Sequence, residues 1–62
     1  IVRPDRVVEL PEHIVVIDYK TGVKSDRHIQ QVDAYKHQLK TLYNKPAKGY
    51  IVYTRPLEII EV

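Results

Sequence analysis

The chain has 62 residues, ten basic against eight acidic side chains, 44% hydrophobic residues and no cysteine. At this length it forms one domain at most and buries only about 60% of the surface its unfolded form exposes, so marginal stability is expected, with neither a disulfide framework nor a thiolate zinc site to support it. Its net charge of +2 permits an anionic partner, but acids and bases are interspersed, and neither a membrane-length apolar run nor a basic-then-apolar leader is present. The expectation is a soluble, cytoplasmic protein that does not engage membranes. Because the chain starts at Ile1 without methionine and ends in the apolar run Leu57 to Val62, residues 1–62 are expected to be a partial domain cut from a longer protein.

Pro4 marks the beginning of an extended segment, since proline cannot donate within a ladder, and a first strand is expected from about Asp5 to Leu10. Pro11-Glu12 reads as a two-residue turn, although it lacks the glycine or asparagine that such turns prefer. His13 to Lys20 is the strongest strand, and its β-branched run predicts a central position with burial on both faces. Gly22 then breaks the pattern, and Ser25 or Asp26 supplies a helix N-cap.

From Arg27 to about Tyr43, the residues Ile29, Val32, Leu39 and Tyr43 repeat at helical spacing as one apolar stripe, with Tyr35 and Leu42 widening an edge. Asn44-Lys45-Pro46 stops the helix, Lys48 to Thr54 makes a third strand, and Leu57 to Val62 a fourth after the interruption at Pro56. A long helix between the second and third strands is the usual crossover that sets two strands parallel, whereas the short turn makes the first two antiparallel. The expected architecture is therefore α/β (α+β): a small mixed sheet in the order β-β-α-β-β, with the helix on one face and the other face bare. Exposed strand edges and that bare face predict self-association.

A two-residue turn at Pro11-Glu12 fixes a register in which Leu10 pairs with His13, Val7 lies opposite Val16, and Asp5 lies opposite Asp18. Opposed residues share a face, as do residues two apart, so Lys20 and Arg3 are expected beside the two carboxylates. Like charges opposed across a strand pair repel, and a hard divalent cation with carboxylate and phosphate ligands is a natural relief. Such an ion acidifies a bound water and stabilises charge growing on a phosphate, with Lys20 as a compact cation beside it. The bland alternative is ordinary ion pairing of Asp5 or Asp18 with Arg3, Arg6 or Lys20.

Pro4-Asp5 followed by Asp18-Tyr19-Lys20 resembles the signature of the PD-(D/E)XK nuclease superfamily. The segment Ile17 to Gly22, followed by a helix carrying Gln31 and Tyr35, is similar to the RecB-like exonuclease branch, the nuclease modules of helicase–nuclease enzymes. The resemblance covers nearly the whole chain. It implies a truncated restriction-endonuclease-like core and a metal-dependent DNA exonuclease acting in repair and recombination, with Mg²⁺ or Mn²⁺ held by Asp5 and Asp18. It further implies that Lys20 assists the attack, that Gln31 and Tyr35 line the site as substrate-binding residues, and that a helicase is fused or associated. The family pattern also has an earlier strand and an earlier helix carrying a further ligand, and neither lies in this sequence. A catalytically inactive nucleic-acid-binding or scaffolding module of the same fold is the alternative.

Several side chains carry two readings. Gln31 and Tyr35 share a helix face and read either as the polar boundary of a packed helix or as contacts to a ligand water, phosphate and substrate strand. His28, one turn before Gln31, is a candidate phosphate contact. His13, His28 and His37 do not sit at metal-ligand spacing, and His13 and His37 are expected in solvent. Lys24, Arg27 and Lys45 offer a phosphate-attracting rim or an ordinary solvated surface. Tyr19 is expected as core beneath the helix, and Tyr50 and Tyr53, on opposite faces, as core or as base-stacking residues.

Overall fold

The computed structural model describes residues 4–62, so Arg3, expected beside the carboxylates, falls outside them. The elements are β1 (Arg6–Glu9), β2 (Ile14–Lys20), α1 (Asp26–Tyr43), β3 (Ala47–Thr54) and β4 (Leu57–Glu61). They form a four-stranded mixed sheet in spatial order β1-β2-β3-β4, antiparallel at both edges and parallel between β2 and β3. This is the β-β-α-β-β fold that the sequence pattern predicts. The element bounds move by a residue where the ladder needs a partner: Asp5 sits in a bend before β1, and Leu10 and His13 lie outside the strands.

The hairpin between β1 and β2 has the register expected from a two-residue turn. Val7 opposes Val16 and Arg6 opposes Ile17, and the Leu10 N–H donates to the His13 carbonyl at 2.8 Å across Pro11-Glu12. Ser25 caps α1, its hydroxyl accepting from the Arg27 N–H at 3.2 Å, with Asp26 in the first turn where the helix dipole favours an acid. Asn44, left-handed at φ 54°, closes the helix before Pro46 ends it.

The core lies between α1 and one face of the sheet: Ile14 and Val16 from β2, Val32 and Tyr35 from α1, Ile51 and Tyr53 from β3, with Leu39, Ala47, Ile60 and Val62 packed against them. The buried stripe is thus turned relative to the expected one. Tyr35 is central to it, while Ile29 (40% exposed), Leu42 (73%) and Tyr43 (40%) lie toward solvent. The sheet fixes this rotation, because Gly49 leaves a gap into which Val32 and the Lys36 stem descend.

Burial on both faces of β2 is not found. Ile14, Val16 and Asp18 are buried, Val15 and Ile17 half-buried, and Tyr19 is 49% exposed. One helix covers one face, and it covers the Asp18 face, so Tyr19 lies on the bare side and not beneath the helix. The same parity makes Tyr53 core and leaves Tyr50 on the bare face.

A Cβ at Gly49 would stand 2.7 Å from both Val32 Cγ1 and Lys36 Cδ, whereas one at Gly22 meets nothing within 4 Å. The lysine stem can swing away, but the valine methyl cannot. Gly49→Ala is expected to lower stability by about 1–3 kcal/mol through overpacking, and Gly22→Ala to leave it unchanged or raise it by about 0.4–1 kcal/mol. Urea denaturation of the two variants checks the contrast, and equal effects would contradict the close helix approach.

Candidate functional site

The parallel register sets Asp18 beside Ile51 and Lys20 beside Tyr53, at the carboxyl ends of the two central strands. There the crossover chain turns back through Thr21 to Ser25 into α1, laying the first half of the helix over these positions. Open α/β sheets commonly place ligands at such strand ends. Gln31 reaches down from α1, its Oε1 accepting from the Lys20 ammonium at 3.1 Å. The structure therefore brings Asp18, Lys20 and Gln31 together, joined by Asp5 from the bend before β1.

Asp18 is the buried charged residue of this face, at 4% exposure. A carboxylate withdrawn from water needs a partner, and Lys20 Nζ stands 3.0 Å from its Oδ2. That contact has the distance of an ion pair without the alignment of a hydrogen bond, and Oδ2 accepts none from any described residue. Asp5 is exposed, and its Oδ2 accepts from the Tyr19 N–H at 2.8 Å. That hydrogen bond first, then the Asp18 carboxyl and the Lys20 ammonium, hold the Asp5 carboxyl below its ordinary range, against an opposing effect of burial.

These contacts lessen the repulsion between the two carboxylates. The chain itself answers part of the Asp5–Asp18 conflict, through one backbone donor and one ammonium, so repulsion alone does not call for a metal ion. What fits a hard cation is narrower: a buried carboxylate oxygen without a hydrogen-bond donor, next to a second, exposed carboxylate. Among the described residues, no third histidine, aspartate or glutamate joins them in a metal-sized group.

Tyr35 is buried, and its hydroxyl has no hydrogen-bond partner among the described residues. His28 is half-buried, with Nδ1 hydrogen-bonded to the Tyr53 hydroxyl at 3.0 Å and the two rings tilted at 5.9 Å between centroids. The pairing of Tyr53 with His28 escapes a reading by motif, because it depends on the register that sets Tyr53 beside Lys20.

The expected basic rim is mostly spoken for: Lys24 pairs with Glu58 at 2.6 Å and Lys45 with Glu9 at 2.7 Å, while Arg27 is exposed. His37 is exposed beside Asp33 at 3.5 Å, and His13 is half-buried. A surface depression lined by Gly22, Lys24, Tyr53, Arg55 and Glu58 flanks the lysine end of the site. Another, lined by Lys40, Thr41, Asn44, Lys45 and Pro46, lies at the far end of α1, remote from both carboxylates. No helix among the described residues is long and apolar enough to cross a membrane.

The lowered Asp5 carboxyl sets a direction for acid sensitivity. A depressed folded-state value contributes stability that is complete above the ordinary value of 3.8 and fades as pH falls through the lower, folded-state value. The stability difference between the wild type and Asp5→Asn is thus expected to be flat above that region and to shrink below it, as read by urea midpoints across pH. A difference that widens on acidification would contradict the Tyr19 hydrogen bond as its cause. Comparison with protein-family models, curated proteins and solved structures returned no match.

Proposed function

We propose that this chain is the metal-dependent nuclease module of a DNA-processing enzyme, hydrolysing phosphodiester bonds in DNA, most simply as an exonuclease working with a fused or associated helicase in repair and recombination. The observation that carries the reading is the convergence of Asp5, Asp18 and Lys20 at one sheet end, with a buried Asp18 oxygen that accepts no hydrogen bond. Asp5 and Asp18 would hold Mg²⁺ or Mn²⁺. When bound, such an ion acidifies water and offsets charge growing on the phosphate.

The chain's own residues supply the rest. Lys20, fixed between Asp18 and Gln31, presents a compact cation to a phosphate oxygen or to the attacking water. Gln31 sets the position of that ammonium and so acts through it. His28, held by Tyr53, borders the same strand end and offers a phosphate contact, and Tyr35, whose buried hydroxyl has no partner among the described residues, would brace the substrate strand from the helix.

A second reading has its own observation. Lys20 already neutralises Asp18 at 3.0 Å and is itself held by Gln31, a closed set of contacts that can persist without turnover. On that reading the chain is a nucleic-acid-binding or scaffolding module.

Digestion of linear and circular DNA with Mg²⁺ separates the two. Asp18→Asn and Lys20→Ala are each expected to lower the rate roughly 10²- to 10³-fold, the scale for losing one transition-state stabiliser, with Gln31→Ala falling less and chelation abolishing digestion. Unchanged digestion by both Asp18→Asn and Lys20→Ala would sink the nuclease reading. DNA binding without metal-stimulated cleavage would favour the second.

A further inference from the structure

Two side chains at the carboxyl ends of the central strands are held from the first half of α1 by two ties lying side by side. Lys20 and Tyr53 are partners in the parallel register, and His28 and Gln31, three apart on the helix, are neighbours on its surface. Lys20 donates to Gln31 at 3.1 Å, and the Tyr53 hydroxyl and His28 Nδ1 stand 3.0 Å apart. The first tie belongs to the site already described. The second has a donor and an acceptor that burial assigns.

Tyr53 is 3% exposed, and among the described residues its hydroxyl has His28 Nδ1 as its hydrogen-bond partner. A neutral imidazole carries its proton on one nitrogen and accepts at the other. If Nδ1 carried that proton, the phenol would accept it, and the phenol's own proton would lack an acceptor at a position nearly closed to water, which is the costly arrangement. With the phenol donating, Nδ1 accepts and the proton sits on Nε2. That nitrogen bonds to no described residue, and it is not one of the buried side-chain atoms lacking a partner, so it reaches the surface of the half-buried ring.

We infer that Tyr53 is a positioning residue that locks His28 in the Nε2–H tautomer, so that His28 serves as a fixed hydrogen-bond donor to a non-bridging phosphate oxygen and not as a general base. The tautomer stands on the contacts alone, while the phosphate rests on the nuclease reading. Gln31 agrees with it: its Oε1 is taken by Lys20, so its amide is left with N–H groups to offer. Lys20, Gln31 and His28 then line the helix side of the strand end with donors, which an anionic oxygen satisfies. An imidazolium also carries a proton on Nε2, so acidification keeps the outward donor.

Long-range proton–nitrogen correlation on the nitrogen-15-labelled chain reads the tautomer, with the exposed His37 as a reference in the same spectrum. At a pH where the rings are neutral, His28 is expected wholly in the Nε2–H form, and Tyr53→Phe is expected to return it toward the mixture that His37 shows. A proton on Nδ1 in the wild type, or a tautomer unmoved by Tyr53→Phe, would overturn the lock.

The phosphate is tested by binding of a short single-stranded DNA at low salt with EDTA present, so that cleavage does not intervene. His28→Asn keeps an acceptor for Tyr53 and loses the outward donor, whereas His28→Gln carries an amide nitrogen to the reach of Nε2. His28→Asn is expected to weaken binding by about three- to tenfold, the scale of one hydrogen bond, and His28→Gln by less, with circular dichroism confirming each fold. No binding by the wild type, or equal losses for the two variants, would overturn the phosphate contact. The nuclease reading is decided separately, by the Asp18 and Lys20 variants with Mg²⁺.

Discussion

The parallel pairing of β2 with β3 is the constraint on which the rest of the molecule depends. Parallel neighbours need a long crossover, and here α1 supplies it, lying close enough to the sheet that Gly49 must have no side chain. Once that helix is seated, parity along β2 decides the fate of every residue on the strand. Even positions from Ile14 to Lys20 go under the helix, odd positions face away, and the strand's two polar residues at its carboxyl end are carried in with the even set.

Burying Asp18 is costly unless its charge is answered. The answer comes from Lys20 two residues on, in the same face, and Lys20 is in turn positioned by Gln31 from the helix. The ion pair and the crossover are therefore coupled: shifting the helix by a turn would remove Gln31 from the ammonium, and shifting the strand by one residue would turn Asp18 to solvent. Asp5 stands outside this set, tied instead to the Tyr19 backbone. The site thus has one buried arm and one exposed arm.

The two faces of the sheet differ in kind. The helix face holds the core and the polar cluster at its end, while the opposite face shows exposed apolar side chains in a domain small enough that burial within one chain is limited.

Element order, the two-residue hairpin, and the Val7–Val16 register could all be read in the sequence, because strand alternation and turn length are local properties and one residue's slip would have inverted every side chain of the pair; the expected pairing of Asp5 with Asp18 falls outside the ladder, with Asp5 in the bend before β1. The chemical identities of Asp18, Lys20 and Gln31 were equally legible. Which face the helix would cover was not. Tyr19 and Asp18 are equivalent to a strand pattern until a helix takes one side, and the apolar residues of α1 admit more than one stripe until the gap at Gly49 selects Val32, Tyr35 and Leu39 over Ile29 and Leu42. The sequence by itself determined the elements, their order and the pairing of the first hairpin. The tertiary structure decided the burial of Asp18, the tether between Lys20 and Gln31, and the pairing of Tyr53 with His28, because each requires contacts between residues far apart in the chain.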